Sequence, residues 1–300
     1  MPSLEITTVI GCPLMCTLCP QDELKNAYQS DIKTLSFNNF KTVIDKLPHY
    51  VRIDFSGMSE PWVNKECTKM LEYALQQNRI VMIYSTLYGM TKEDTDQLIK
   101  LIHNYKEQIK TFCIHLPDKN GNMRGWKYSD EYEYAVESLL NLKEDIKTKI
   151  KFQSMTMDRN GQPSSLLDKF NFYKYHPDFA KSWAGHTRAG SLNITEKNKD
   201  FIYKNPEHIS PVSCASTPFY DHNVLLPNGD VVLCCMDYSL KHIIGNLLEQ
   251  TYEELYMSNE MLNVVKENKK IGFSKCSLCK SCDNVKIYGI EPNYYQWINS

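Results

Sequence analysis

The stretch "VIGCPLMCTLCPQ", residues 9–21, places Cys12, Cys16 and Cys19 within eight residues. Three thiols are one too many for a disulfide and one too few for a closed zinc site, which takes four protein ligands. Three thiolates on a short loop suit a metal centre that keeps one position open. The run before them, Leu4–Ile10, reads as a β-strand, so the loop follows a strand end.

The chain's 300 residues predict one large domain or two. With 42% hydrophobic and 23% charged residues it has the make-up of an ordinary globular protein. A net charge of −2 gives no reason to expect nucleic acid or an anionic membrane as partner. No uninterrupted run of about eighteen apolar residues predicts a transmembrane helix. No basic-then-apolar signal precedes the cysteine loop, which predicts a cytoplasmic protein. The eleven cysteines are uneven: three at the start, six from Cys214 to Cys282, and only Cys67 and Cys113 between, both read as core. In a reduced compartment such clusters point to metal rather than disulfides. There the glycosylation match at Asn193-Ile-Thr195 reads as accidental.

Working outward, strand candidates at Leu4–Ile10, Val51–Ser56, Arg79–Ser85, Thr111–His115 and Lys149–Thr156 alternate with helical spacing at Asn38–Leu47, Val63–Gln77, Lys92–Tyr105 and Tyr132–Lys143. Alternation at this pitch predicts parallel βαβ units, five or six of which curl into a full or partial barrel. Binding groups in such folds gather at the C-terminal strand ends. Cys12 follows the first strand, Gly57–Glu60 the second and Ser85–Thr86 the third, so all three converge on one mouth. "MDRNGQP" (157–163) reads as a turn, and the signal weakens to about residue 212. "NVLLPNGDVVLCC" (223–235) then predicts two strands around a Pro-Asn-Gly-Asp turn, and "LEQTYEELYMSNEMLNVVKEN" (248–268) predicts helices. This divides the chain into domains 1–205 and 206–300.

Cys12-x3-Cys16-x2-Cys19 resembles the motif of the radical S-adenosylmethionine (radical SAM) family. The resemblance implies a [4Fe–4S] cluster on the three thiolates, with S-adenosylmethionine chelating the fourth iron. Reductive cleavage then releases a 5′-deoxyadenosyl radical that abstracts hydrogen from a C–H bond. "DFSGMSEP" (54–61) resembles the family's Gly-Gly-Glu segment, which makes Gly57, Ser59 and Glu60 candidates for the methionine ammonium. "IYSTLYG" (83–89) resembles the polar end of the third strand, with Ser85 or Thr86 on cofactor or substrate. "KSWAGHTRAGS" (181–191) is similar to Trp-to-Arg-Ala-Gly stretches of relatives, and gives Arg188 a cofactor carboxylate or a substrate oxygen. His115 and Gln153, at the ends of the fourth and fifth strands, are candidates to line the cavity. Read as residues alone, Glu60 also suits a helix start, Ser85–Thr86 a turn, and Arg188 a solvated helix end.

Cys214-x14-Gly229-x4-Cys234 followed by Cys276-x2-Cys279-x2-Cys282 resembles the SPASM/twitch extension of part of that family. "PNGDVVLCCMDY", "IGNLLEQTYEELY" and "CKSCD" carry the match. It implies one auxiliary [4Fe–4S] cluster on Cys214, Cys234, Cys279 and Cys282, with Cys276 as alternate ligand. Zinc suits such Cys-x2-Cys pairs equally. Cys235 next to Cys234 on an expected strand should face the opposite way. It is either a buried hydrophobe or, if it faces the mouth, a hydrogen donor to a substrate radical.

The fold class expected is thus α/β: a partial (β/α)6 TIM-like barrel followed by a small α+β twitch/SPASM domain with a β-hairpin. The family resemblance implies an oxidoreductase that abstracts hydrogen from a small polar carbohydrate or aminocyclitol-like substrate and oxidises it, the auxiliary cluster accepting an electron. Many peptide maturases carry an N-terminal peptide-recognition domain, and the early cysteine loop favours the small-molecule substrate. An electron donor such as flavodoxin or ferredoxin is implied. The alternatives are an epimerase or peptide-modifying maturase with a thiol as hydrogen donor, and a non-enzymatic iron–sulfur or zinc module.

Overall fold

The computed structural model describes residues 1–142, 149–154, 163–170, 187–192, 206–215 and 221–287. Strand β1 (Ser3–Ile6) enters the cysteine loop and helix α1 (Gln21–Ala27) leaves it. Then α2 (Phe37–Lys46), β2 (Arg52–Phe55), α3 (Cys67–Gln76), β3 (Val81–Ser85), α4 (Lys92–Asn104), β4 (Ile109–Leu116), α5 (Asp130–Leu140) and β5 (Ile150–Ser154) alternate. The five strands pair in parallel in the order β5-β4-β3-β2-β1, the large parallel sheet expected of a partial barrel.

Local chemistry explains where these helices start and which face they bury. Ser36 and Ser129 accept the Asn39 and Tyr132 N–H at the starts of α2 and α5, and Thr91 with Asp94 forms a reciprocal capping box on α4. Helix α4 buries Thr95, Leu98, Leu101 and Ile102, spaced three and four apart. The strands alternate. Leu4, Ile6, Ile53, Phe55, Val81, Ile83, Phe112, Ile114, Ile150 and Phe152 are buried against the helices in one core. The residues between them, Glu5, Arg52, Asp54, Tyr84, Cys113, His115, Lys151 and Gln153, share the opposite face. Parallel strands usually run apolar on both faces. A polar inner face therefore marks a barrel with an occupied purpose.

Strands β2 and β3 are trimmed by one or two residues at their ends, and two elements depart further from expectation. Strand β1 ends at Ile6 rather than Ile10, because Thr8 Oγ1 donates to Pro61 O (2.9 Å) and Ile10 N to Lys33 O (2.8 Å), outside the ladder. The helix expected over Val63–Gln77 is a 3₁₀ turn at Pro61–Val63 and then α3. Between them the Asn64 side-chain amide is buried and donates to Thr8 O and Leu35 O.

The later strands are β6 (Val212–Cys214), β7 (His222–Leu225), β8 (Asp230–Val232), β9 (Ile243–Asn246) and β10 (Val285–Ile287), with α6 (Tyr252–Tyr256) and α7 (Asn259–Lys269). Strand β7 joins the free edge of β1 in parallel and β7-β8-β9 continue antiparallel, making one eight-stranded sheet. Strands β6 and β10 form a separate antiparallel pair. The β7–β8 turn is the expected one. Gly229 has φ +91°, and a Cβ there would sit 2.6 Å from Asn246 Oδ1. Cys234 and Cys235, expected on a strand, instead follow the end of β8 in a turn. The Asp237 carboxylate accepts the backbone N–H of Lys241 (3.0 Å) and His242 (2.7 Å) and the Ser239 hydroxyl, which curls the chain. Residues 157–162 of the expected turn, the Asn193–Thr195 match and residue 205 of the expected boundary lie outside the described residues.

Candidate active site and metal centres

Cys12 is buried, and Cys16 and Cys19 are half-buried. Burial pushes the Cys12 thiol up to about 11 and Cys16 well above the ordinary thiol value, and repulsion from the other thiols of the loop adds to both. The nearby backbone N–H groups of Leu14 and Glu60 oppose the shift of Cys12. Such thiols keep their protons near neutrality unless a bound cation displaces them. Three thiols close enough to raise one another's pKa, on one short loop, fit three irons of a cluster.

Two supports of the loop carry no sequence signature. Gln21 Oε1 accepts Cys12 N–H (3.2 Å), while its Nε2 donates to Met58 O (2.6 Å) and reaches Cys19 Sγ (3.3 Å). The segment after β4 lies along the loop as a strap. Thr17 N donates to Asn122 O (2.8 Å), Gly125 N to Leu14 O (2.8 Å) and Arg124 Nε to Met15 O (2.9 Å). A Cβ on Gly125 would lie 1.9 Å from Pro13 O, so only glycine lets the strap come this close.

Glu60, Ser85 and Thr86 come together. The buried Glu60 carboxylate accepts the Ser85 hydroxyl (2.6 Å), the Thr86 hydroxyl (2.8 Å) and the Thr86 N–H (2.7 Å). Burial raises its pKa and these donors hold it down. Gly57 sits at φ +48° with a Cβ position 2.5 Å from Ile6 O, and Ser59 Oγ accepts Val9 N–H at 3.4 Å. The second- and third-strand candidates thus surround the cysteine loop at one mouth.

The inner face is networked. Arg52 pairs with Asp54 through two contacts (2.6 and 2.7 Å), and Ser56 Oγ donates to Glu5 (3.0 Å). His222 Nδ1 lies 3.8 Å from Glu5, whose proximity raises the imidazole's pKa. His115 moves the other way, down to about 4, because burial disfavours its cation and Arg188 adds repulsion while Gln153 opposes. Gln153 Oε1 also accepts the Cys113 thiol (3.3 Å). Arg188 extends from a 3₁₀ turn to Met236 Sδ (3.8 Å) and packs on the Tyr238 ring.

A second cavity is lined by Cys214, Cys234, Cys279 and Cys282, with Cys235 and His222 beside them. Burial pushes the Cys234, Cys279 and Cys282 thiols up, and proximity adds to it, Cys279 and Cys282 acting on Cys234 and Cys214 acting on Cys279 and Cys282. The Asn284 N–H donates to Cys282 Sγ (3.3 Å). Cys276 is exposed and outside this lining. Among the described residues no group of three His, Cys, Asp or Glu side chains is drawn together for a single metal ion. A cubane instead takes each thiolate at a different iron, and four thiols around one cavity fit it. Burial, and after it the Glu5 carboxylate, push the Cys235 thiol up, and His222, which lines the cavity and lies 3.8 Å from Glu5, ties this cavity to the inner face.

A family model of the SPASM iron–sulfur cluster-binding domain matches residues 214–283, the span that contains all four cavity cysteines. BtrN in complex with AdoMet and 2-DOIA superposes over 97% of this chain and 96% of its own, with TM-score 0.60 and 18% identity. The chain has the radical SAM fold with a SPASM domain. Streptococcus suis SuiB bound to its precursor peptide SuiA matches with TM-score 0.56 at 11% identity, covering 94% of this chain and 70% of SuiB. Native anSMEcpe with bound AdoMet and Cp18Cys peptide matches with TM-score 0.52 at 13% identity, covering 93% and 87%. No curated protein matches the sequence. The matched span holds β7, β8, β9, α6 and α7, begins on the last residue of β6 and ends just before β10, and its Tyr238 reaches the cysteine loop of the first half.

Proposed function

We propose that this chain is a radical SAM enzyme that oxidises a small polar, carbohydrate- or aminocyclitol-like substrate. In this reading Cys12, Cys16 and Cys19 hold one [4Fe–4S] cluster, and Cys214, Cys234, Cys279 and Cys282 hold an auxiliary one. S-adenosylmethionine at the open position of the first supplies, on reduction, a 5′-deoxyadenosyl radical that takes a hydrogen atom from carbon. The observation that carries the reading is the split of thiols: three at the barrel mouth, leaving a vacancy, and four around a separate cavity.

The chain's own residues fill the other roles. Gly57, Ser59 and Glu60 bind the methionine end, and Ser85 and Thr86 hold the Glu60 carboxylate in place. Glu5, His115, Gln153 and Arg188 offer donors and acceptors to hydroxyl or amino groups, which supports a small polar substrate. BtrN, whose structure holds AdoMet and 2-DOIA, supports it too. In the oxidation of a carbinol carbon the radical would lose the hydroxyl proton to a base, and a cluster held by Cys214, Cys234, Cys279 and Cys282 would take up the remaining electron. A cytoplasmic location and a flavodoxin- or ferredoxin-type donor complete the proposal. No helix among the described residues is long and apolar enough to cross a membrane.

A specific contact favours a second reading, epimerisation. Cys235 lines the cysteine cavity beside His222, and after burial the nearby Glu5 carboxylate pushes its thiol pKa up, which keeps the S–H hydrogen available to a substrate radical. The test is turnover of candidate aminocyclitols in deuterated water. A two-electron-oxidised product without a new C–D bond supports dehydrogenation. An inverted centre carrying deuterium, lost in Cys235→Ala, supports the second reading instead. No turnover of any cyclitol or sugar would overturn the substrate class.

A further inference from the structure

Tyr238 lies in the SPASM domain, 219 residues beyond Cys19, yet its phenol oxygen is 3.4 Å from the Cys19 sulfur. The residue is 4% exposed and packs with Leu24, Tyr28, Met58 and Leu226 in a small apolar cluster that joins the two halves of the chain. The Arg188 guanidinium lies 5.8 Å from the centre of its ring. A thiolate has no proton to give. Once Cys19 is a metal ligand, the phenol is therefore the donor and the sulfur the acceptor.

We propose that Tyr238 is a positioning residue whose O–H···S hydrogen bond sets the reduction potential of the cluster held by Cys12, Cys16 and Cys19. The inference rests on the assignment of those cysteines as ligands. A hydrogen bond to a ligand sulfur draws negative charge from the cluster and stabilises the reduced form, which carries one electron more, over the oxidised form. The bond thus raises the potential. Burial keeps the phenol protonated and so able to donate, with Arg188 opposing that shift, and the apolar shell keeps competing water away. The ease of putting an electron into the first cluster then depends on a side chain supplied by the auxiliary-cluster domain.

The test is an EPR-monitored redox titration of the anaerobically reconstituted full chain, of Tyr238→Phe, and of a chain with 3-fluorotyrosine at position 238. The first cluster is identified as the one whose EPR signal changes on adding S-adenosylmethionine. The phenylalanine variant should shift that cluster to a more negative potential, and the more acidic fluorotyrosine to a more positive one, while the auxiliary cluster stays put. Unchanged first-cluster potentials in both would overturn the inference and leave the ligand assignment standing. If Tyr238→Phe fails to load iron, the fluorotyrosine chain, which keeps size and hydroxyl, decides alone. A wild-type chain without any signal that responds to S-adenosylmethionine would overturn the assignment, and the inference with it.

Discussion

Gln21 Nε2 donates to the Met58 carbonyl oxygen at 2.6 Å, which ties the helix leaving the cysteine loop to the segment after β2. The other end of the same amide accepts the Cys12 N–H, so one side chain sets the spacing between two parts of the mouth. Gln21→Ala leaves both backbone groups buried without this partner, at a cost of about 1–3 kcal/mol. Urea denaturation should show that loss, and iron analysis should show poorer loading of the first cluster than of the second.

Glu60→Gln replaces an oxygen that accepts the Thr86 N–H, or the one that accepts the Ser85 hydroxyl, by an NH₂ donor. It also removes the charge proposed to meet the methionine ammonium. Binding of S-adenosylmethionine should weaken by about 1.5–3 kcal/mol, the range for hydrogen bonds to charged groups. Isothermal titration under anaerobic conditions reads this directly. Wild-type affinity would remove Glu60 from the cofactor site.

Much of this arrangement was legible in the sequence because it is local. Strands such as "RIDF" and "IKFQS" alternate visibly, and the Cys12–Cys19 and Cys279–Cys282 spacings need no tertiary information. The Pro-Asn-Gly-Asp turn between β7 and β8 was equally plain. Gln21 was not, because a glutamine at a helix start has no pattern that announces a partner at Met58. The Asn122–Gly125 strap and Tyr238 act across 105 and 219 residues, where no periodicity reaches. Strands β6 and β10 are three residues each, too short to show alternation. Cys234–Cys235 were misread as strand because the Asp237 carboxylate, which curls the turn, looks like any other polar residue in "CCMDY".

The two candidate ligands of the late Cys-x2-Cys run separate cleanly. Cys279→Ser should remove about four irons, one cluster's complement, and leave the first cluster intact. Cys276→Ser, at an exposed position outside the cavity, should keep all the iron. Iron analysis of the two variants side by side checks this, and the reverse pattern would move the ligand to Cys276.

His115 carries a pH signature. The unfolded imidazole takes a proton below about 6.5, and the folded one only near 4. Between these values the unfolded chain binds more protons, so stability rises with pH across the window and falls as pH drops through it. Carbon-13 histidine NMR on the iron-free chain should find His115 titrating near 4. A midpoint close to 6.5 would mean that the ring is open to water.

The account turns on what Cys12, Cys16 and Cys19 hold. The most direct measurement is the formation of 5′-deoxyadenosine and methionine when the anaerobically reconstituted chain is reduced with S-adenosylmethionine. The account predicts both products from a chain with about eight irons, two four-iron clusters. Changing the three cysteines together to alanine should abolish both products and halve the iron. Zinc in the first site after anaerobic purification, or an iron-loaded chain that leaves S-adenosylmethionine intact on reduction, would contradict it.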